Sequence, residues 1–251
     1  MTTNNSMIIN FNNYIAYTSP ILYMIYVEIA KRILPHENEK NRRFISIIRL
    51  IHNLGLSLLS LILCIGIIYS AYESNKFNSI FNALCSRFNN ELFAGWIGWY
   101  FYLSKYWEWL DTAFLIIGKK EISWLQYTHH MSTAILVYVN IFPLVSSASL
   151  VACFTNTFVH IFMYLYFAYP KSFLYKYRQW ITNIQIIQHI ICLSSFIYIY
   201  LHLDQCYTTH LGIYLALLLY FMYLSFFTAF YIVQYIIRKD DKDNKKTMKM
   251  T

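Results

Sequence analysis

Residues Ile45 to Tyr69 read ISIIRLIHNLGLSLLSLILCIGIIY, a run whose one charge is Arg49. As a helix it would rise about 37 Å, enough to cross a hydrocarbon core about 30 Å thick. The rest of the chain has the same character. Hydrophobic residues make up 58% of the 251 positions and charged residues 13%, while aromatics reach 20%, with 24 Tyr and 19 Phe. That is about half the charge of an average soluble domain, and a disordered chain needs the opposite balance. A multidomain soluble enzyme and a secreted disulfide scaffold are excluded. The reading is an integral membrane protein.

Apolar runs bounded by charge predict seven spans, at about Tyr14 to Ala30, Ile45 to Tyr69, Leu92 to Gly118, Ile122 to Phe142, Val145 to Tyr169, Trp180 to Leu201 and Leu211 to Ile237. The third run is long for one helix. Tight hairpins are expected around Lys119 and Pro143. The whole chain reads as one membrane domain, with tails over 1–13 and 238–251. No basic n-region precedes the first span, so no cleaved signal peptide is expected.

The 20 Lys and Arg settle the orientation expected for these spans. One face receives Lys31, Arg32, Lys40, Arg42, Arg43, Lys119, Lys120, Lys171, Lys176 and Arg178, and the tail residues Arg238, Lys239, Lys242, Lys245, Lys246 and Lys249. The other receives Lys76 and Arg87, while Arg49 and Lys105 fall inside spans. The positive-inside rule then puts the N-terminus outside the cytosol and the C-terminus within it. The net charge of +8 is thereby explained by topology, and no nucleic-acid partner is needed.

Ionisable groups inside a span are costly and normally face a bundle interior or a cavity. Four successive spans carry them at helical spacing: Lys105, Glu108, Asp111 and Thr112; Gln126, His129 and His130; Asn156, His160, Met163, Tyr164 and Tyr166; Thr182, Gln185 and Gln188, with His189 beside them. Counted inward from the loops, the stripes lie roughly 10 to 15 Å deep on the cytosolic side. Agreement in depth on four antiparallel helices predicts one buried polar site, open to the cytosol and closed by an apolar core.

These four motifs, in this order, resemble the ELO family of membrane fatty-acid elongases along all seven spans. The resemblance implies an all-α integral membrane protein of seven transmembrane helices, a helical barrel around a substrate tunnel, in the endoplasmic reticulum membrane with a lumenal N-terminus. It implies an acyltransferase that condenses an acyl-CoA with malonyl-CoA to a 3-oxoacyl-CoA two carbons longer, releasing carbon dioxide and CoA. No cofactor or metal is expected; acyl-CoA and malonyl-CoA are substrates. The implied partners are the bilayer and the ketoacyl-CoA reductase, dehydratase and enoyl reductase that complete the cycle, and a homodimer is left open. Two positions depart from the commonest pattern: Gln126 stands where His often begins the box, and Phe167 where Tyr is usual.

The residues suggest how such a condensation would run. No Cys lies in the motifs, so imidazole is the remaining nucleophile, with His129 the first choice and His160 or His130 as proton-transfer group or oxyanion stabiliser. A ping-pong route through acyl-His129 competes with His129 acting as a base in direct condensation. Lys105, Glu108, Asp111, Thr112 and Gln126 would support the site. Asn156, Met163, Tyr164, Tyr166, Thr182, Gln185 and Gln188 would meet substrate, and Lys119, Lys120, Lys171, Lys176 and Arg178 are candidates for the CoA phosphates.

Simpler readings apply elsewhere. His52, His189 and His202 read as packed hydrogen-bonding residues, and Glu28 as an ion pair with Lys31 or Arg32 at the membrane edge. Cys85 and Cys206 fall in loops on the non-cytosolic side, where an oxidising lumen would join them in a disulfide. Asn4-Asn5-Ser6 is a glycosylation sequon on that side, and the lysines near the C-terminus loosely resemble a retention signal. The rivals are a di-iron desaturase, which needs about as many box histidines as the 8 His of the whole chain, and a seven-span receptor or transporter, which would leave a deep polar cluster unexplained.

Overall fold

The computed structural model describes residues 2–88, 96–142 and 147–237, with side chains from Tyr14 onward except that of Leu174. The sequon at Asn4 to Ser6, the start of the third run, the hairpin residue Pro143 and the C-terminal lysines lie outside the described residues or side chains. Among the described residues the secondary structure is helical, with no strand. The helices are α1 (Thr2–Ile33), α2 (Arg42–Glu73), the short α3 (Ile80–Leu84), α4 (Gly98–Trp107), α5 (Trp109–Ile117), α6 (Trp124–Ile141), α7 (Ala148–Ala168), α8 (Arg178–Leu201) and α9 (His210–Tyr231).

Among the described residues four helical segments are long and apolar enough to cross a membrane: Arg42–Glu73, Ala148–Ala168, Tyr175–Leu201 and His210–Ile237. Their exposure pattern is the reverse of a soluble helix. On α2, Ile47, Ile51, Leu58 and Ile62 are exposed, whereas His52, Asn53, Ser57 and Ser60 are buried. Such a distribution is stable only where the surroundings are apolar and the interior supplies polar partners. The protein is therefore a multi-pass membrane protein.

Local sequence sets the boundaries. Ser123 caps α6 by accepting from the Gln126 N–H at 3.1 Å, and Thr209 caps α9 by accepting from Gly212 at 3.1 Å. Helix α5 ends at Gly118, and Lys119 turns the chain at φ 52° with its N–H on the Ile116 carbonyl. Gly212 lies where α9 meets α6: an added Cβ would come within 2.9 Å of Asn140 Oδ1. Three differences from the sequence reading stand out. The expected N-terminal tail is helical from Thr2, continuous with the first run. The third run is broken at Glu108 into α4 and α5. Residues 119–123 are not helical, so His129 sits about 8 Å into its helix and is not ten helical residues from Lys119.

Helix contacts run in a closed circuit, α2 to α7, α7 to α8, α8 to α9, α9 to α6, α6 to α4 and α4 back to α2. Helix α1 packs outside it, against α5 and α6. At the end away from Lys119, Cys85 and Cys206 form a disulfide that joins positions 121 residues apart, and the Tyr207 N–H donates to the Cys85 carbonyl at 2.7 Å. Beside it Lys76 is buried, donating to Ser86 Oγ and, at 2.8 Å, to the Arg87 carbonyl. Burial pulls the pKa of its ammonium below the usual lysine value.

Candidate active site

The break at Glu108 brings a carboxylate into the middle of the bundle. The Asp111 N–H reaches the Glu108 carbonyl at 3.0 Å, a tight turn between the two helical segments. Glu108 is 1% exposed and Lys105 2%. Lys105 Nζ donates to Glu108 Oε1 at 2.6 Å and to Asn156 Oδ1 at 2.8 Å. Asn156 Nδ2 meets His160 Nε2 at 3.1 Å, and His160 Nδ1 lies 3.5 Å from Glu108 Oε1. The proton positions follow by elimination. An ammonium only donates, so the Asn156 oxygen faces Lys105 and its amide donates onward. His160 Nε2 then accepts, which leaves the proton of a neutral His160 on Nδ1, facing Glu108. Lys105, Asn156, His160 and Glu108 thus form one closed ring across α4, its junction with α5, and α7.

A second carboxylate braces this ring. Asp111 bonds His52 Nε2 at 2.8 Å and accepts from the Tyr164 hydroxyl at 2.7 Å. The Tyr164 ring lies 5.3 Å from that of His160, edge to face. Thr112 points the other way, bonding the Tyr23 hydroxyl of α1 at 2.8 Å. His130 also faces α1, with its ring stacked on Tyr23 at 6.3 Å, and its carbonyl accepts from Trp109 Nε1 at 3.1 Å.

Next to the ring lies a narrow cavity, with about 40 Å3 open to the centre of a water molecule, room for about three waters. Lys105, Asn156, His129 and Gln188 line it, with Phe101, Ile141 and Phe196 among the apolar walls. The His129 ring packs against Tyr223 at 4.9 Å, and the Tyr223 hydroxyl is within 2.6 Å of Ser132 Oγ. His129 Nδ1 is buried without a hydrogen-bond partner, as are Thr133 Oγ1 and His189 Nδ1 on the same cavity.

Four of the sequence candidates therefore share the cavity, and Glu108 and His160 stand directly behind its wall. His130, Thr112 and Gln126 do not line it. Gln185 instead contacts Met163 Sδ at 3.3 Å; Thr182 lies 3.3 Å from both the Arg178 carbonyl and the Tyr235 hydroxyl; Tyr166 packs on Phe167 at 5.7 Å. The basic candidates divide. Lys119 and Lys120 line a groove with Arg42, Arg49 and Glu37, in which Arg49 pairs with Glu37 at 3.2 Å. Lys171 and Lys176 are exposed, and Arg178 lies over the Tyr175 ring at 4.3 Å.

Two of the histidines read as packed residues are hydrogen-bonded, His52 to Asp111 and His202 Nδ1 to the Tyr198 carbonyl at 2.9 Å. His189 is not, and it lines the cavity; so do Thr133 and Tyr223, which no motif marks. Glu28 pairs with Lys31 at 2.8 Å on the surface. Among the described residues no three His, Cys, Asp or Glu side chains converge as a metal site would require.

The profile of the ELO: GNS1/SUR4 family matches residues 9–244. A candidate fatty acid elongase of Dictyostelium discoideum is 30% identical over 225 residues, 85% of this chain and 73% of that protein. Fatty acid elongase A of the same organism is 33% identical over 161 residues, 62% of this chain and 58% of its own length. Very long chain fatty acid elongase 2 of Rattus norvegicus is 26% identical over 186 residues, covering 71% and 64%.

Proposed function

From the premise that the chain belongs to the ELO family of fatty-acid elongases, we propose that it catalyses the condensing step, joining an acyl-CoA to malonyl-CoA through an acyl-His129 intermediate. The single observation that carries this reading is His129 on the wall of a buried cavity, its Nδ1 without a protein partner, beside Lys105, Asn156 and Gln188.

The chemistry follows from that placement. An imidazole lone pair of neutral His129 attacks the thioester carbonyl; the C–S bond breaks, and the imidazole proton goes to the departing thiolate. Malonyl-CoA then loses carbon dioxide, and its carbanion attacks the acyl-imidazole. A 3-oxoacyl-CoA leaves, and one proton taken up restores His129. Developing negative charge on the acyl and malonyl oxygens needs donors fixed in advance. Lys105 Nζ and the Asn156 and Gln188 amides stand on the cavity wall for that purpose, and Glu108 and His160 hold the first two in place. The bound thioester would fill the cavity and displace the water that competes with the carbanion. The acyl chain would extend past Leu136 toward Phe196, in a tunnel enclosed by seven spans.

The remaining assignments belong to the same proposal. The CoA phosphates would meet Lys119 and Lys120 or Lys171, Lys176 and Arg178 at the cytosolic mouth. The protein would sit in the endoplasmic reticulum with a lumenal N-terminus, where the Cys85–Cys206 disulfide suits an oxidising compartment. Its product would pass to a ketoacyl-CoA reductase, a dehydratase and an enoyl reductase.

The test is turnover of radiolabelled malonyl-CoA by purified protein across an acyl-CoA panel, with intact-mass analysis after incubation with acyl-CoA alone. A labelled 3-oxoacyl product and an acyl adduct on His129 are expected. Turnover without an adduct would favour direct condensation with His129 as base, and no product from folded protein would remove the elongase assignment.

A further inference from the structure

The cavity that holds His129 holds a second imidazole, outside the positions that match the family motifs. His189 follows Gln188 on α8, is 2% exposed, and lines the same space. The two rings stand around a shared aromatic pair. His129 lies 4.9 Å from Tyr223 and 6.3 Å from Phe227; His189 lies 5.6 Å and 4.8 Å from the same rings. Neither imidazole makes a hydrogen bond among the described residues, and Nδ1 of each is buried without a partner. A polar atom is costly to bury unpaired unless something else supplies the bond.

The other histidines are occupied or turned away. Both nitrogens of His160 face ring partners, Nε2 at Asn156 and Nδ1 at Glu108. His130 is stacked against Tyr23 on the α1 side and His52 is bonded to Asp111 through Nε2; Nδ1 of each is buried without a partner, but neither ring lines the cavity. Two imidazoles therefore line the cavity among the described residues, His129 and His189. A nucleophilic imidazole must lose a proton when it is acylated and regain one when it is released, so a neighbouring group that accepts and returns a proton speeds both halves.

We propose that His189 is a catalytic residue of the condensation, carrying the proton that His129 gives up and takes back. The inference rests on the acyl-His129 reading. In the first half, His189 accepts the proton from His129 through one water bridging the cavity as the N–C bond forms and the C–S bond breaks, then passes it to the CoA thiolate. In the second half, the malonyl carbanion formed with loss of carbon dioxide displaces the imidazole, and a proton taken from solvent through His189 restores neutral His129. One proton is consumed per turnover, as conversion of the malonyl carboxylate to carbon dioxide and of the thioester to free thiol requires.

The test compares His189→Gln and His189→Phe with the wild type, measuring CoA release from acyl-CoA alone, single-turnover condensation, kcat, KM and thermal unfolding in detergent. Gln keeps a hydrogen-bonding group but carries no proton at neutral pH. Both half-reactions should slow by roughly 10²- to 10⁴-fold, with KM within about threefold and Gln no better than Phe. His189→Asn stands in for whichever variant does not fold. If His189→Gln keeps kcat within tenfold of wild type, the proton-carrying role is overturned; a raised KM with kcat intact overturns it in favour of substrate packing. Wild type that turns over without an acyl adduct sinks the acyl-His129 reading and this inference with it. Wild type that forms the adduct beside fast His189 variants sinks the inference alone.

Discussion

Two polar regions lie side by side in this bundle and are built in opposite ways. In the ring of Lys105, Glu108, Asn156 and His160, each side chain contacts the next, and Asp111 with His52 and Tyr164 braces it from outside. On the wall of the cavity, which Lys105 and Asn156 also line, His129, His189 and Thr133 bond to nothing among the described residues. A satisfied network in a low-dielectric interior is rigid and expensive to break. Groups left without partners are where a ligand would supply them. The difference teaches a division of labour: the ring fixes Lys105 and Asn156 in place at the wall, and the unpaired groups beside them are left for substrate. Glu108 Oε2, buried without a partner, is the one place where the ring itself is incomplete.

If that division is right, substitutions on the two sides should fail differently. His129→Ala should lower condensing activity on the order of 10⁴-fold or more, the scale of removing a nucleophile, while leaving the thermal midpoint within a few degrees. An unfolded variant would make His129 part of the framework and erase the contrast. Glu108→Gln should do the reverse, costing about 3–5 kcal/mol by leaving the Lys105 ammonium buried without its carboxylate. Lys105→Met alone should cost a similar amount, and the double variant should cost less than the sum. Additive losses would mean that the 2.6 Å pair is not coupled.

Much of the ring could be read in the sequence, because Lys105, Glu108 and Asp111 share one face at helical spacing and lie at a depth that Asn156 and His160 also reach. The helix break was less legible, since nothing in K-x-x-E-x-x-D interrupts helical propensity. Adjacent residues diverge by about 100° around a helix, so His129 and His130 had to face different neighbours. Which one would meet the cavity depended on where α1 and α9 packed, and local pattern does not encode that. His189 was hidden for the same reason: a lone imidazole in an apolar run looks identical whether its neighbour is a carbonyl, as for His202, or an open cavity. The disulfide was readable because topology alone brings two loop cysteines to one side of the membrane.

The brace around the ring offers a smaller effect. Asp111→Asn keeps the shape but weakens the bonds to His52 and Tyr164, each currently made to a carboxylate oxygen. A loss of about 1.5–3 kcal/mol is expected, since bonds to charged groups are worth about that much. Calorimetry in detergent measures it, and activity should follow stability. Unchanged stability with lost turnover would move Asp111 from the brace to the reacting groups.

The smallest expected effect tests the far end of the cavity. Phe196 is 2% exposed, stacks on Tyr220 at 5.4 Å, and lies seven residues beyond His189 on α8, about 10 Å deeper. Its ring and Ile141, similarly deep on α6, are part of the cavity wall. If the acyl chain occupies this space from His129 inward, Phe196 limits its length by volume, and the ring network has no part in that choice. Phe196→Leu removes part of the ring at a stability cost of about 1 kcal/mol. Discrimination against a substrate one two-carbon unit too long should relax about 10-fold, the scale on which apolar pockets sort chains by methylene count. Rates on the preferred chain should stay within about threefold. A product profile across the acyl-CoA panel measures both, and a profile identical to wild type would mean that the chain leaves the cavity before it reaches α8's second half.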